Sequence, residues 1–132
     1  MPSAASLFST VPTSNHLKLF GKGGPDIKRA VDFLDFKKDD VASATNAPLS
    51  SVRFDERIPT EVRERLVEIA TICEMVADYF SGDIAKTALW FKVPNPLLGN
   101  LSPRDQIRLG RYRKVLKFVQ SAREAAGPPT RT

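Results

Sequence analysis

The chain has 132 residues, 42% of them hydrophobic, with one cysteine, one histidine and a net charge of +5. That is enough apolar matter for one core, with or without tails. A single Cys and a single His exclude an internal disulfide and a Cys/His metal cluster, and a reducing cytosol fits best. No run of ~18 apolar residues occurs, so no membrane span is expected.

Residues 1–24 read as a disordered N-terminal tail: they are rich in Ser, Thr, Pro and Gly and contain no acid. No basic start leads into an apolar segment, so a secretory leader is not expected. Gly21-Lys22-Gly23-Gly24 lacks the spacing of a phosphate loop and reads as a linker. His16 falls in this tail and carries no assignable role.

Residues 25–56 read as a helix followed by a helix-turn-helix-like pair. Ile27, Ala30, Val31 and Leu34 recur at helical spacing, which predicts a helix over 26–34. After the break at Asp35-Phe36-Lys37, Ala42 supplies the small residue at a helix crossing. Asn46, four positions on, tolerates the positive φ of a tight turn. Val41, Ala47 and Val52 face inward. The second helix, from Leu49 to about Phe54, would present Ser50, Ser51 and Arg53 outward, where a DNA-reading version would touch bases and phosphates. Asp39, Asp40, Asp55 and Glu56 flank it and oppose phosphate, so a helix pair kept for packing is the competing reading.

Residues 57–126 carry the strongest periodicity. Val62, Leu66, Ile69, Cys73, Val76 and Phe80 form one apolar stripe on a helix from Thr60 to about Phe80, widened by Ala70 and Ala77. Glu61, Arg63, Glu64, Arg65 and Glu68 supply a wet face, with Glu61 and Arg65 at pairing distance along the helix. Cys73 lies on the stripe and reads as a core residue, not a nucleophile. Asp83 caps a further helix from Ile84 to about Lys92, on which Ile84, Ala88 and Phe91 share a side. Trp90 points elsewhere, either under the following loop or toward a partner.

That loop is the most specific stretch of the chain. Val93-Pro94-Asn95-Pro96 cannot continue a helix. Leu97 and Leu98 allow one short turn, and Gly99 stops it in a left-handed conformation. Ser102-Pro103-Arg104-Asp105 restarts a helix, with Ser102 as N-cap, Pro103 at the first position and Asp105 as the reciprocal cap. The last helix is expected from Pro103 to Ala126, with Gly110 inside it for close approach of another element. Arg104, Arg108 and Arg111 share one exposed face of it. Six cations against one acid between Arg104 and Lys117 equal the whole formal excess, which implies an anionic partner, either nucleic acid or an acidic protein surface. Residues 127–132 read as a flexible C-terminal tail containing Arg131.

No acid–base pair, nucleophile motif or metal spacing appears. The chain reads as a small all-α binding protein without cofactor, not an enzyme.

Trp90-Phe91-x-x-Pro94-Asn95-Pro96-x-Leu98-Gly99-x-x-Ser102-Pro103-Arg104-Asp105, with Gly82-Asp83 before it, resembles the C-terminal toxin-binding domain of Xre/MbcA/ParS-type antitoxins. The resemblance covers about half the chain. It implies a cognate toxin encoded by the adjacent gene, of the RES type that consumes NAD, held in a hetero-oligomer with its active-site entrance blocked. It implies toxin contact through Trp90, Phe91, Pro94, Asn95, Leu97, Leu98, Arg104, Arg108, Arg111 and the tail's Arg131. The preceding helices resemble an Xre-like helix-turn-helix, which implies operator DNA as a further partner. A DNA-binding regulator without a toxin is the alternative.

Overall fold

The computed structural model describes residues 15–21 and 23–126. The fold is mostly helical. A two-residue hairpin pairs β1 (Phe20–Gly21) with β2 (Gly24–Pro25) in antiparallel register. It is followed by α1 (Ile27–Phe33) and α2 (Lys38–Thr45), then α3 (Thr60–Tyr79) and α4 (Ile84–Lys92), and finally α5 (Pro103–Arg108) and α6 (Tyr112–Ala126). No helix among the described residues is long and apolar enough to cross a membrane.

α3 is the axis. Its stripe from Val62 to Val76 is buried, and from Ile69 to Ala77 the helix is buried on every side. α1, α2, α4 and α6 all pack on it, and α5 bridges α2, α4 and α6. One core cluster joins Leu17 and Leu19 to α1, α2, α3, Phe91, Ile107 and the inner face of α6. The stretches 25–56 and 57–126 therefore share a single core.

Four helices end the same way. After α1, α2, α3 and α5 a residue takes positive φ: Asp35 at 59°, Asn46 at 54°, Ser81 at 56° and Gly110 at 86°. In each, the next amide bonds five residues back, as Phe36 N–H does to Val31 O, Ala47 to Ala42, Gly82 to Ala77 and Arg111 to Gln106. This pairing satisfies carbonyls that the helix end would otherwise orphan. Three of the four turns use a residue other than glycine, so only Asn46 and Gly110 stand out to inspection.

Several expectations are corrected. The expected last helix is two: Gly110 is not inside a helix but at the left-handed turn between α5 and α6. A Cβ there would sit 3.4 Å from Ser43 O, so the close approach is real, although to α2 backbone at a helix break. The expected second helix over 49–54 is only a 3₁₀ turn at Leu49–Ser51, and Val52 is already extended. Pro48 fixes an extended entry, Val52 is drawn into the core and Arg53 is tied to Asp55, leaving too few residues to propagate a helix.

The tail expected over 1–24 is also redrawn where it is described; residues 1–14 lie outside the described residues. Leu17 and Leu19 are buried, and the hairpin follows directly. The agent is Glu74, which is 1% exposed in the middle of α3. Its carboxylate accepts the backbone N–H of Leu17 at 3.1 and 3.2 Å and of Leu19 at 3.1 Å. A buried carboxylate needs hydrogen-bonded partners, and the incoming segment supplies them. Arg29 adds a bond to Leu17 O at 2.9 Å. His16, without an expected role, lies 3.4 Å from Asp78 and closes over Gly82 so tightly that a Cβ there would meet its Nδ1 at 2.7 Å.

Candidate functional site

α4 begins as the sequence indicates, with Asp83 accepting the Lys86 N–H at 3.0 Å. Its buried side, however, is Thr87 and Phe91, not Ile84, Ala88 and Phe91. Thr87 hides its hydroxyl by donating to Asp83 O at 2.7 Å, and so behaves as a small core residue. Ile84 is 53% exposed, Leu89 61%, Val93 46% and, on the following turn, Leu97 75%. Adjacent Tyr79, at the end of α3, is 54% exposed. From Ile84 to Asn100 the sequence contains no carboxylate. These large apolar side chains, left in water within one stretch of helix and loop together with the exposed Lys86 and Lys92, mark a candidate interaction surface.

Trp90 is half-buried at the edge of this run. Its ring stacks on Phe118 of α6 at 6.3 Å and meets Phe91 edge-on at 5.0 Å. Beside it is an apolar pocket of about 130 Å³, walled by Val76 and Tyr79 of α3, Phe80 just after it, Trp90, and Phe118 and Val119 of α6. Apolar cavities of ~150 Å³ hold a benzene ring.

The elbow is stiff because Asn95 organises it. Its amide donates to Leu101 O at 3.0 Å, its side-chain oxygen accepts Leu97 N–H at 2.9 Å, and its carbonyl accepts the amides of Leu98 and Asn100. Pro96–Leu98 form the expected single turn, ended by Gly99 at φ 70°. Leu98 is buried and its carbonyl accepts from Gln106 Nε2 at 2.6 Å. Ser102 caps α5 by accepting the Asp105 N–H at 3.0 Å. Asp105 does not reciprocate: it lies 3.3 Å from Arg108 and 3.7 Å from Arg104.

The structure sorts the residues named from the sequence into three groups. Trp90, Pro94 and Leu97 reach the surface, with Ile84, Leu89 and Val93, which the sequence reading did not assign to toxin contact. Phe91 and Leu98 are 1% exposed and hold the surface from beneath, as Asn95 does through its hydrogen bonds. The arginines do not share one open face. Arg104 donates to Leu34 O at 2.6 Å and Asp35 O at 2.7 Å, lies 5.1 Å from the Phe36 ring and 3.9 Å from Asp40. It clamps the C-terminal end of α1, where carbonyls and helix dipole favour a cation. Arg108 is half-buried against Asp105, and only Arg111 is exposed. Arg131 lies outside the described residues. Arg65, expected to pair with Glu61, instead donates to Thr45 O and clamps the end of α2.

Of the residues named for DNA, Ser50 is exposed and Ser51 is half-buried on the 3₁₀ turn. Arg53 forms a two-pronged bond to Asp55, 2.8 Å on each arm. That bond is the main reason the Asp55 carboxyl is held at about 2. Cys73 is fully buried, and burial beside Glu74 pushes its thiol far above the ordinary range. Tyr112 donates to Glu68 at 2.7 Å, and burial with that carboxylate raises its hydroxyl.

Comparison with known proteins agrees with the antitoxin resemblance. Over 102 residues the chain is 28% identical to the mycobacterial cidal antitoxin MbcA of Mycobacterium tuberculosis H37Rv, covering 74% of this chain and 88% of the relative. The MbcA proteins of M. tuberculosis CDC 1551 and Mycobacterium bovis match to the same extent. No sequence-family model matches the chain, and no solved structure does. Over most of its length the chain is therefore similar to MbcA-type antitoxins.

Proposed function

We propose that this chain is an antitoxin that binds and neutralises a toxin protein encoded by the adjacent gene. The observation that supports the reading most is the exposed apolar run Ile84, Leu89, Val93 and Leu97, free of carboxylates and mounted on a hydrogen-bonded elbow, in a chain similar to named antitoxins. In this reading α4 and the elbow lie across the toxin's active-site entrance, and one apolar toxin side chain enters the pocket beside Trp90. Phe91, Asn95 and Leu98 act as positioning residues that keep the surface in shape. The resemblance to Xre/MbcA/ParS antitoxins implies a RES-type toxin that consumes NAD. Such a site attracts an anionic dinucleotide, so an apolar plug suits its mouth better than a row of cations.

Co-expression with the adjacent gene's product, followed by copurification and a toxin activity assay, tests the reading. A stable complex with suppressed activity is expected. Separate purification with undiminished toxin activity contradicts it. Deleting residues 127–132 separates a tail plug, carrying Arg131, from a surface plug: neutralisation should survive the deletion.

A further inference from the structure

The cationic excess of this chain has a different address from the one the helix-turn-helix-like stretch suggests. At the start of α6, the exposed residues from Arg111 to Lys117 are Arg111, Arg113, Lys114 and Lys117, and every one is a cation. The three between them, Tyr112, Val115 and Leu116, are buried and anchor the helix to the core. Among the described residues no carboxylate pairs with any of the four. Arg113 lies over the Tyr112 ring at 5.7 Å, and Glu68, the acid facing this turn from α3, accepts the Tyr112 hydroxyl at 2.7 Å and has no ion pair with the four cations. Asp105 is engaged by Arg104 and Arg108.

These cations also stand where helix electrostatics opposes them. The first turn of α6 contains no acid. The positive end of the helix dipole favours anions, not Arg113 and Lys114. A solvated face gains nothing from that arrangement, whereas a bound polyanion turns the dipole and the four side chains to one purpose. At 1.5 Å of rise per residue the four cover roughly 9 Å of helix, enough to meet successive phosphates. Protein interfaces have apolar centres and are depleted in lysine, so an all-cation face matches phosphodiesters better than a folded acidic partner.

We propose that the N-terminal turns of α6 form a nucleic-acid backbone-binding site, contacting phosphates through Arg111, Arg113, Lys114 and Lys117 without reading sequence. The site does not depend on Ser50, Ser51 and Arg53, nor on the antitoxin reading.

The test is fluorescence anisotropy of a labelled 20-base-pair DNA duplex and of a 20-nucleotide RNA, titrated with the full chain. Four phosphate contacts on duplex predict roughly 100-fold weaker binding at 200 mM than at 50 mM salt. R113Q/K114Q/K117Q should bind at least ten-fold more weakly at 50 mM and lose most of the salt slope, while S50A/R53A should bind like the unmodified chain. R113E/K114E should melt no lower than the unmodified chain, which separates lost binding from lost folding. Preference for duplex or for RNA names the source of the phosphates, and either supports the site. Absence of binding at 50 mM, unchanged binding by the triple glutamine variant, or equal affinity for polyglutamate of matched charge overturns it.

Discussion

Glu74 sets the structure of residues 15–25 from the centre of α3. Replacing it with alanine leaves two buried amides, of Leu17 and Leu19, without an acceptor. The expected loss is about 3 kcal/mol by urea denaturation, with hydrogen-exchange protection of those two amides lost first. Cys73 should resist a thiol reagent in the native protein and react only on unfolding. Asp55 offers a pH test. Its folded pKa is depressed to about 2 by the Arg53 bond, so the pair's contribution is complete above the ordinary carboxylate range and vanishes as pH falls through about 2. Carboxyl NMR should give a midpoint near 2, returning toward the ordinary value in Arg53→Ala. The buried place of Cys73 was legible from the apolar stripe, whereas the roles of Glu74 and Asp55 were not. Glu74 meets a segment 57 residues away, and its position on a helix otherwise read by its apolar stripe says nothing of that partner. Arg104 likewise finds Leu34 across 70 residues.

At the scale of elements, local chemistry was legible. Most of the elbow was legible because its determinants are neighbours: prolines that stop α4, Gly99 that ends the turn, and Ser102-Pro103 that restarts α5, although Asp105 does not close the cap. The buried stripe of α3 followed from spacing alone. The failures share a cause, which is that the deciding contact is distant or the residue is atypical for its role. Ile84 was placed inward because it is apolar, yet Thr87 takes the buried position after its hydroxyl is satisfied within the helix. Gly110 falls within the helical pattern of the sequence, although its φ of 86° makes it a turn. Gly110→Ala should therefore destabilise by about 1 kcal/mol or more, through a positive φ that alanine resists and a Cβ set 3.4 Å from Ser43 O; thermal unfolding checks it. Arg104→Met should cost about 2–3 kcal/mol by uncapping α1.

For the whole molecule, one core fixes two surfaces of different chemistry. The α4–elbow surface exposes Ile84, Leu89, Val93 and Leu97 beside Lys86 and Lys92 and has no carboxylate, whereas the exposed residues at the start of α6 are all cations. Buried Phe91 and Leu98 tie the apolar surface to the core, so it is presented without the ordering cost that a flexible loop would incur on binding. The proposed function rests on that surface being gripped by another polypeptide. Isothermal titration calorimetry of the adjacent gene's product with the unmodified chain and with Leu89→Asp tests it most directly, since Leu89 is 61% exposed and its replacement leaves the core intact. The account predicts an unchanged melting temperature and a loss of at least ~2 kcal/mol in binding, roughly 30-fold. Equal affinity of the two proteins for the toxin would contradict it.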